Sequence, residues 1–349
     1  MDISQTQANL QRAITKVVDN KKIFGVSASA EKGDGSLAFI GSAGNLDNES
    51  QYFIASTTKL YITAITLRLR EQGKLSFDDR ISKYIDHQVL QNLLVFKGID
   101  YTSEITVRQL LAHTSGLPDY FQQKKESGKS LQDELTSGKD QPWTFEQVID
   151  EVKRMKPAFK PGKKGKALYS DTNYQILGKI VETITGKKIS AALMEFIFEP
   201  LGLKRTYLYE NSRDTAPATM YFKQNPLPIP LAMTSFGPDG GIVSTSGELM
   251  IFIKAFFKGQ LFPIEYLNEM KRWNKIFFPL EYGVGVARFK LPRLFSPFKA
   301  MPELLGHSGL SGAFAFYSPE KDVYLAGTVN QINHPDISYR LMLQLLNYL

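Results

Sequence analysis

Ser56 and Lys59 are the residues of this 349-residue sequence whose types and spacing best suit chemistry. A pattern typical of a helix runs from Ser56 to about residue 72, and Gly73 follows as a residue that often ends helices. Residues three apart lie on one helix face, with Cβ atoms about 5–6 Å apart, so the Lys59 amine can reach the Ser56 hydroxyl. This spacing suits a serine nucleophile paired with a lysine base.

The pattern around this pair predicts a helix that is buried on most sides, because apolar residues between 60 and 69 point nearly all round its axis. Burial favours a neutral amine, so we expect Lys59 to act as a base near neutral pH. Ser56 is predicted to be the N-cap residue. The helix start then offers free N–H groups and the positive end of its dipole to an oxyanion.

A bare Ser-x-x-Lys motif also arises by chance in a chain of this length, so other residues must support it. Residues 169–171, with the sequence Tyr-Ser-Asp, precede a predicted helix. A tyrosine oxygen near an ammonium group is stabilised as phenolate, so Tyr169 is expected to share or relay the Ser56 proton. On its own, a buried tyrosine more often only satisfies its hydroxyl group.

Residues 307–309, with the sequence His-Ser-Gly, precede a predicted strand. We expect His307 to donate a hydrogen bond to a substrate carbonyl or carboxylate, and Gly309 to let a substrate backbone lie against the strand. Gly after Ser is also ordinary turn chemistry. His113, which lies beside Ser115, is interpreted as part of a structural turn rather than of a catalytic triad.

Composition excludes several classes of protein. Without cysteine the chain has neither disulfides nor thiolate metal sites. The formal charge of +7 comes from scattered lysines with no recognition motif, which argues against nucleic-acid binding. No apolar run is long enough for a transmembrane segment, and residues 1–22 lack a signal-peptide core. We expect a soluble protein, either cytoplasmic or exported with its signal removed, and the compartment stays open.

Hydrophobic periodicity predicts strands toward both ends of the chain and helices between them. Helix starts are predicted at Ser76, Thr106 and Thr144 from capping patterns. Strands are predicted at 24–30, 36–41, 242–244, 282–287, 312–318 and 323–330, and terminal helices at 4–20 and 337–349. We therefore expect an α+β fold in which residues 1–75 and 216–349 form a sheet-containing lobe and residues 76–215 form an inserted all-helical lobe. The antiparallel sheet would be flanked by the terminal helices, with the active site between the lobes.

In this order and context, the motifs at 56–59, 169–171 and 307–309 resemble those of the serine β-lactamase and penicillin-binding-protein superfamily. The similarity is to the branch of class C β-lactamases, DD-peptidases, D-aminopeptidases and family VIII esterases, and it implies a β-lactamase/transpeptidase-like fold. It spans nearly the whole chain. The other segments that carry it are residues 73–76, 105–111, 113–118, 161–162, 200–203, 240–245 and 282–285.

The resemblance implies that Ser56 is the acylated nucleophile, that Lys59 lowers the barrier to proton transfer, and that Tyr169 is the partner base and later acid. The oxyanion hole would be formed by the backbone N–H groups of Ser56 and Leu310. No metal or organic cofactor is needed for this chemistry.

The substrate-binding positions that the resemblance implies are Asp171, His307, Ser308 and Gly309. Two of them depart from the family pattern. Asp171 stands where the family usually has Asn, and its charge is expected to raise the pKa of Lys59 and weaken it as a base. His307 stands where true β-lactamases have Lys, so penicillin hydrolysis is expected to be inefficient.

Residues 288–298 precede the third motif and are both aromatic and basic. A substrate-binding lip, a membrane-surface contact and a packed loop all fit this composition.

The sequence thus predicts a serine hydrolase that acts through an acyl-enzyme on small esters or on D-amino-acid amides or peptides. An α/β-hydrolase is disfavoured because the chain has no G-x-S-x-G motif. The alternatives are a penicillin-binding or sensor-type protein that is acylated but turns over slowly, and a weak class C-like β-lactamase. The expected partner is a small-molecule or peptide substrate, and the oligomeric state stays open.

Overall fold

A computed structural model of the chain describes residues 2–291 and 301–349. The helices are α1 (Ile3–Val17), α2 (Thr58–Glu71), α3 (His87–Leu90), α4 (Val107–Leu111), α5 (Leu131–Thr136), α6 (Phe145–Arg154), α7 (Asp171–Thr185), α8 (Ile189–Leu193), α9 (Glu199–Leu201), α10 (Pro230–Phe236), α11 (Ser246–Phe257), α12 (Tyr266–Met270) and α13 (Pro335–Tyr348). The strands are β1 (Gly25–Lys32), β2 (Ala38–Gly44), β3 (Tyr52–Phe53), β4 (Val95–Phe96), β5 (Ile99–Asp100), β6 (Tyr207–Leu208), β7 (Tyr221–Phe222), β8 (Asn225–Pro226), β9 (Ile242–Ser244), β10 (Asn274–Phe277), β11 (Leu280–Tyr282), β12 (Ala287–Phe289), β13 (Leu304–Ser308), β14 (Ala313–Ser318) and β15 (Val323–Thr328).

The main sheet is built from both ends of the chain. Within the described residues it has eight strands in the order β10-β11-β12-β13-β14-β15-β1-β2, and all neighbouring pairs are antiparallel. β1 pairs with β15, with Ser27 opposite Thr328. The predicted antiparallel sheet flanked by terminal helices is therefore confirmed.

Side chains that alternate along the strands form two different faces of this sheet. On β14, Phe314 and Phe316 belong to the apolar cluster that includes residues of α1 and α13. Ala313 and Ala315 face the other way and belong to the larger cluster that includes residues of α11. Because alanines are small, α11 can pack closely on that face.

The helical part of the chain packs around α2, which joins it to the sheet. Every residue of α2 from Thr58 to Leu67 is buried, as the apolar pattern predicted. A small sheet in the order β3-β9-β6 lies beside the start of this helix. β3 leads directly into the turn that carries Ser56, so the candidate nucleophile lies where the small sheet meets the helices.

The predicted helix starts have mixed outcomes. Thr106 and Thr144 are N-caps with complete capping boxes, so both predictions are confirmed. The helix predicted from Ser76 is wrong: the Ser76 N–H donates to Asp79 Oδ2 at 2.7 Å, yet only a turn and a short 3-10 segment, Ile81–Lys83, follow. The bonds of a helix cap therefore occur here without a helix.

The strand predicted at 282–287 is also wrong, because the chain turns between β11 and β12. The Gly283 N–H donates to the carbonyl of Val286 at 2.8 Å, and Gly285 adopts a φ of 79°. A side chain at Gly285 would meet Thr63 of α2, so the turn packs against α2. Of the aromatic and basic segment 288–298, residues 288–289 belong to β12, and the part from residue 292 onward lies outside the described residues.

Candidate active site

Ser56 lies in a tight 3-10 turn, Ala55–Thr57, between β3 and α2. The prediction that Ser56 is the helix N-cap is wrong, because Thr57 occupies that position and no side chain caps the helix. Ala55 has a φ of 45°, a conformation that is unfavourable for a residue with a Cβ atom. The Ser56 side chain makes no capping bond. Its half-buried hydroxyl group therefore remains available to other groups.

Lys59 contacts Ser56 as the helical spacing predicted. Its Nζ donates to Ser56 Oγ at 3.1 Å and to the carbonyl oxygen of Asp239 at 2.6 Å. The same Nζ lies 2.5 Å from Asp171 Oδ1 in an ion pair, with the lysine side chain fully buried. Lys59 therefore connects the hydroxyl to a carboxylate.

The charge on Lys59 differs from the first expectation. Burial lowers the pKa of Lys59, but the charges of Asp171, Tyr169 and Asp239 raise it, and the net pKa lies above the ordinary lysine value. The expectation of a neutral amine near pH 7 is therefore wrong for the resting site. The structure agrees instead with the second expectation, that Asp171 raises the pKa.

Tyr169 meets the same pair, and its ring centroid lies 5.3 Å from Lys59 Nζ. Burial raises the pKa of Tyr169 above its ordinary value, while the charge of Lys59 and the nearby polar groups of Ser56 and Lys59 oppose that rise. The resting side chain is a neutral phenol, so the expected phenolate is not the ground state. Its hydroxyl is placed to donate or relay a proton between the two partners.

The start of α7 is held against the turn that contains His113, which the sequence placed in a structural role. The Ser170 N–H donates to His113 Nδ1 at 3.1 Å, and Asn173 Nδ2 lies 3.0 Å from the same nitrogen. The His113 ring centroid lies 4.5 Å from that of Tyr169. His113 thus positions Tyr169 through its packing and its bond to the next residue.

The turn after β13 brings Leu310 beside Ser56. A Cβ atom at Gly309 would lie 2.3 Å from the carbonyl oxygen of Ile54, so only glycine fits there. Ser311 Oγ donates to the carbonyl oxygen of Phe53 at 2.7 Å and anchors the turn to β3. Among residues 2–291 and 301–349 neither the Ser56 nor the Leu310 N–H has an acceptor. Two free donors near one hydroxyl suit an oxyanion.

His307 lies beside Tyr169, with ring centroids 6.1 Å apart, but its chemistry differs from the expectation. Its Nδ1 lies 2.7 Å from the carbonyl oxygen of Ser308, which can only accept, so Nδ1 carries the proton. Burial, with the charge of Lys59, lowers the pKa of His307 to about 3, so the ring is neutral. Its buried Nε2 has no partner among the described residues and is an acceptor, whereas a donor was predicted.

Ser308 was predicted to bind substrate, but its side chain points to the opposite face of the sheet. Its hydroxyl bonds with the hydroxyl of Tyr339 on α13. The reason is the strand pleat, which sends the side chains of His307 and Ser308 to opposite faces. Only the backbone of Ser308 is left for a substrate role.

Two further aspartates that the sequence interpretation missed lie beside Asp171. Asp119 Oδ1 accepts from the Asp171 N–H at 3.1 Å, and burial, together with the charge of Asp171, raises the pKa of Asp119 to about 7. Asp239 Oδ2 accepts from the Tyr120 hydroxyl at 2.7 Å. The three aspartates are far apart in the sequence, which carries no signal that they meet.

A cavity of about 60 Å³ lies beside this cluster, and its polar lining includes Ser56, Asp171 and Asp239. Most of the remaining lining is apolar. It comprises Phe121, Leu135, Met220, Leu227, Ile229, Met233, Phe236, Leu310 and Ile332. The arrangement suits nucleophilic attack on an acyl group that carries an apolar substituent.

The described ranges, 2–291 and 301–349, contain neither a metal-binding cluster nor a membrane-spanning helix. No set of three or more His, Asp or Glu side chains is arranged there to hold a metal ion. No helix in these ranges has both the length and the apolar character needed to cross a membrane.

Comparison with known proteins agrees with this geometry. The family model described as Beta-lactamase matches residues 10–346. A putative D-alanyl-D-alanine carboxypeptidase of Escherichia coli K12 is 25% identical, over 96% of this chain and 80% of that protein. The crystal structure of a D-stereospecific amidohydrolase from Streptomyces sp. has a TM-score of 0.76 and 26% identity, covering 96% of this chain and 97% of that one.

The D-amino acid amidase of Ochrobactrum anthropi SV3 shares the fold, with a TM-score of 0.80 and 22% identity over 99% of this chain and 98% of that one. The family match covers nearly the whole chain, and the Ser-x-x-Lys pair lies at the start of a buried helix beside a tyrosine and two free N–H groups. The chain therefore belongs to the β-lactamase family and is a serine hydrolase of that superfamily.

Proposed function

We propose that Ser56 is the nucleophile that is acylated and that the substrates are small esters or D-amino-acid amides or peptides. The observation that carries this proposal is that Lys59 Nζ contacts both Ser56 Oγ and the Tyr169 ring, and that Ser56 lines a cavity. The relatives support the substrate class, since they include a putative D-alanyl-D-alanine carboxypeptidase and a D-stereospecific amidohydrolase.

Proton transfer in this site begins at the ion pair. Lys59 passes one proton to Asp171, 2.5 Å away, and the neutral amine then takes the Ser56 proton as Oγ attacks the substrate carbonyl carbon. The oxyanion that forms receives hydrogen bonds from the N–H groups of Ser56 and Leu310. Burial keeps these donors and charges away from water, which strengthens their interactions.

Tyr169 is the proton donor to the leaving group. Its hydroxyl donates a proton to the departing nitrogen or oxygen as the bond to the carbonyl carbon breaks, and Lys59 returns a proton to the phenolate. Asp171 then gives its proton back to Lys59, which restores the resting charges. A water molecule repeats the sequence in reverse and releases the acid from Ser56.

A second candidate is a protein that is acylated without efficient turnover. One observation favours it: the ion pair with Asp171 keeps Lys59 protonated in the resting site. Deacylation also needs a base, so slow release of the acyl group would leave a stable covalent adduct.

Hydrolysis of p-nitrophenyl butyrate tests the proposal directly. We expect the wild-type protein to release p-nitrophenol with turnover, and Ser56→Ala to lose at least about 10³-fold in kcat/KM because no nucleophile remains. Ser82→Ala is the matched control, because Ser82 is exposed and does not line the cavity. Full activity in Ser56→Ala would refute the assignment, and one equivalent of product without turnover would favour the second candidate.

A further inference from the structure

The acidic cluster beside Ser56, formed by Asp119, Asp171 and Asp239, holds three buried carboxyl groups for one lysine, and burial together with the charge of Asp171 raises the pKa of Asp119 and of Asp239. Lys59 pairs with Asp171, and each of the other two is at most 4% exposed. Buried carboxylates are costly unless they are paired or hydrogen-bonded. The hydrogen-bond donors to each carboxylate oxygen therefore indicate which aspartate lacks a donor.

Asp119 is complete. Its Oδ1 accepts from the N–H groups of Phe121 and Asp171, and its Oδ2 accepts from the N–H of Gln122. It does not line the cavity. Its role is to hold the chain around the start of α7.

Asp239 lacks a hydrogen-bond donor to one of its carboxylate oxygens, and it lines the cavity together with Ser56. Its Oδ2 accepts from the Tyr120 hydroxyl at 2.7 Å and from Gln175 Nε2 at 3.0 Å. Its Oδ1 is buried and has no partner among the described residues, although the side chain is only 1% exposed. An acceptor of this kind lacks a donor that a ligand in the cavity can supply.

Asp171 adds a second acceptor in the same cavity. Its Oδ1 faces Lys59, and its Oδ2 has no donor within the described ranges. Both carboxylates therefore offer an oxygen to a group that enters beside Ser56. The apolar lining, which includes Phe121 and Phe236, leaves the rest of such a ligand in a hydrocarbon environment.

We propose that Asp239 and Asp171 bind the free ammonium group of an amino-acid amide or ester whose carbonyl carbon Ser56 attacks. This inference rests on the proposed function. In such a substrate the ammonium nitrogen is attached to the carbon next to the carbonyl, so one cavity receives both groups. The ammonium has several N–H donors for two acceptors, and its charge offsets the excess of carboxylates. Substrates whose amino group is acylated lack that charge and are bound less tightly.

Matched substrates test the inference. Alanine p-nitroanilide of each hand is compared with propionyl p-nitroanilide, which lacks the amino group, and with the N-acetyl form, which lacks its charge. We expect the wild-type protein to prefer the free-amino substrate of at least one hand in kcat/KM. In Asp239→Asn we expect the ratio of free-amino to propionyl kcat/KM to fall by about 10- to 100-fold, which is the range for losing one charge-assisted contact.

Asp214→Asn is the matched control, because Asp214 also accepts from a tyrosine hydroxyl, that of Tyr207, but does not line the cavity. In this control variant the ratio of free-amino to propionyl kcat/KM should equal that of the wild type. An equal fall for both substrates in Asp239→Asn would overturn the inference, because Asp239 would then only support the site. A wild-type protein with no preference for free-amino substrates would also overturn it.

A measurement on the wild-type protein avoids any folding defect of the variants. Alaninamide and propionamide are compared as competitors of p-nitrophenyl butyrate hydrolysis, and we expect the charged amide to inhibit at least about tenfold more strongly. Equal inhibition would contradict the ammonium site. If hydrolysis of the neutral ester p-nitrophenyl butyrate depends on Ser56, the proposed function is still supported. Failure of the ammonium site can therefore be distinguished from failure of the proposed function.

Discussion

At the scale of single residues, the contact that most affects reactivity is the ion pair between Lys59 and Asp171. A buried lysine without a counter-ion tends to become neutral, and the carboxylate 2.5 Å away prevents this. Lys59 therefore has to lose a proton, to Asp171 or to solvent, before it can accept one from Ser56.

Asp171→Asn should shift the pH dependence of acylation. The pKa of Lys59 is raised in the wild type, so the neutral amine becomes more abundant only at alkaline pH, and kcat/KM should rise with pH there. Removing the carboxylate should lower that pKa and move the rise to lower pH. The measurement is kcat/KM for p-nitrophenyl butyrate from pH 5 to 10.

The control for this shift is Asp336→Asn, which breaks an exposed ion pair with Arg340 on α13 and should leave the profile unchanged. A profile of Asp171→Asn that coincides with the wild type would show that protonation of Lys59 does not limit acylation.

The sequence predicted these residues better than it predicted their charge states. Helical spacing was enough to bring Lys59 to Ser56, and the tyrosine followed from motif order. The protonation state of Lys59 depends on Asp171, Tyr169 and Asp239, which meet only in the folded chain. The tautomer of His307 depends on the carbonyl of its neighbour Ser308. Such contacts leave no local pattern in the sequence.

At the scale of elements, the site depends on how the turn after β13 packs on β3. Gly309 lies against the carbonyl of Ile54, and Ser311 bonds to the carbonyl of Phe53. These two contacts place the Leu310 N–H beside Ser56. The turn and the strand thus form the proposed oxyanion site together.

Gly309→Ala should separate the two N–H donors. Its Cβ atom would meet a backbone oxygen at 2.3 Å, so the turn must move away from Ser56. Losing one oxyanion donor typically costs about 10²–10³ in kcat, and we expect a loss of that size with a lower melting temperature. The loss in kcat is measured with p-nitrophenyl butyrate, and the melting temperature is measured by thermal unfolding.

Gly247→Ala is the matched control, because a Cβ atom there meets nothing closer than 3.8 Å and the residue lies in α11. Its stability should be unchanged or higher, by up to about 1 kcal/mol, since alanine favours helices. Wild-type kcat in Gly309→Ala would contradict the proposed oxyanion site.

Elements with strong local signals were predicted well, and those set by packing were not. The capping residues Thr106 and Thr144 and the buried pattern of α2 identified their helices. The sequence pattern predicts a strand through the turn at Gly285, because the residue that shapes this turn, Thr63, lies in a helix more than 200 residues earlier.

At the scale of the whole molecule, one apolar cluster extends from the helical part of the chain into the sheet. It contains Leu110 and Ile176, which belong to the predicted helical lobe, and also Ile62, Phe252 and Ala315, which belong to the predicted sheet lobe. The division into residues 1–75 with 216–349 and residues 76–215 stays a prediction. Since the core is shared, we expect neither part to be stable alone.

Fragment 76–215 should therefore fail to fold, because it would expose the apolar surface that faces α2 and α11. The intact chain should unfold in one cooperative transition, followed by circular dichroism and tryptophan fluorescence in urea. A fragment with its own cooperative transition, or two separate transitions in the intact chain, would show two independent domains.

The architecture was predictable because strands near both ends of the chain had to pair with each other. The order of the strands was not, since it depends on contacts between residues far apart, such as β1 with β15. The same limit applies to the cavity, whose lining comes from residues 55 to 332.

The central claim is that Ser56 carries the acyl group. Intact-protein mass spectrometry after brief exposure to short esters, D-alanyl peptides and penicillins, followed by peptide mapping, tests it most directly. The account predicts one added acyl mass, located on Ser56 and absent from Ser56→Ala. An adduct on another residue, or one that persists in Ser56→Ala, would contradict it.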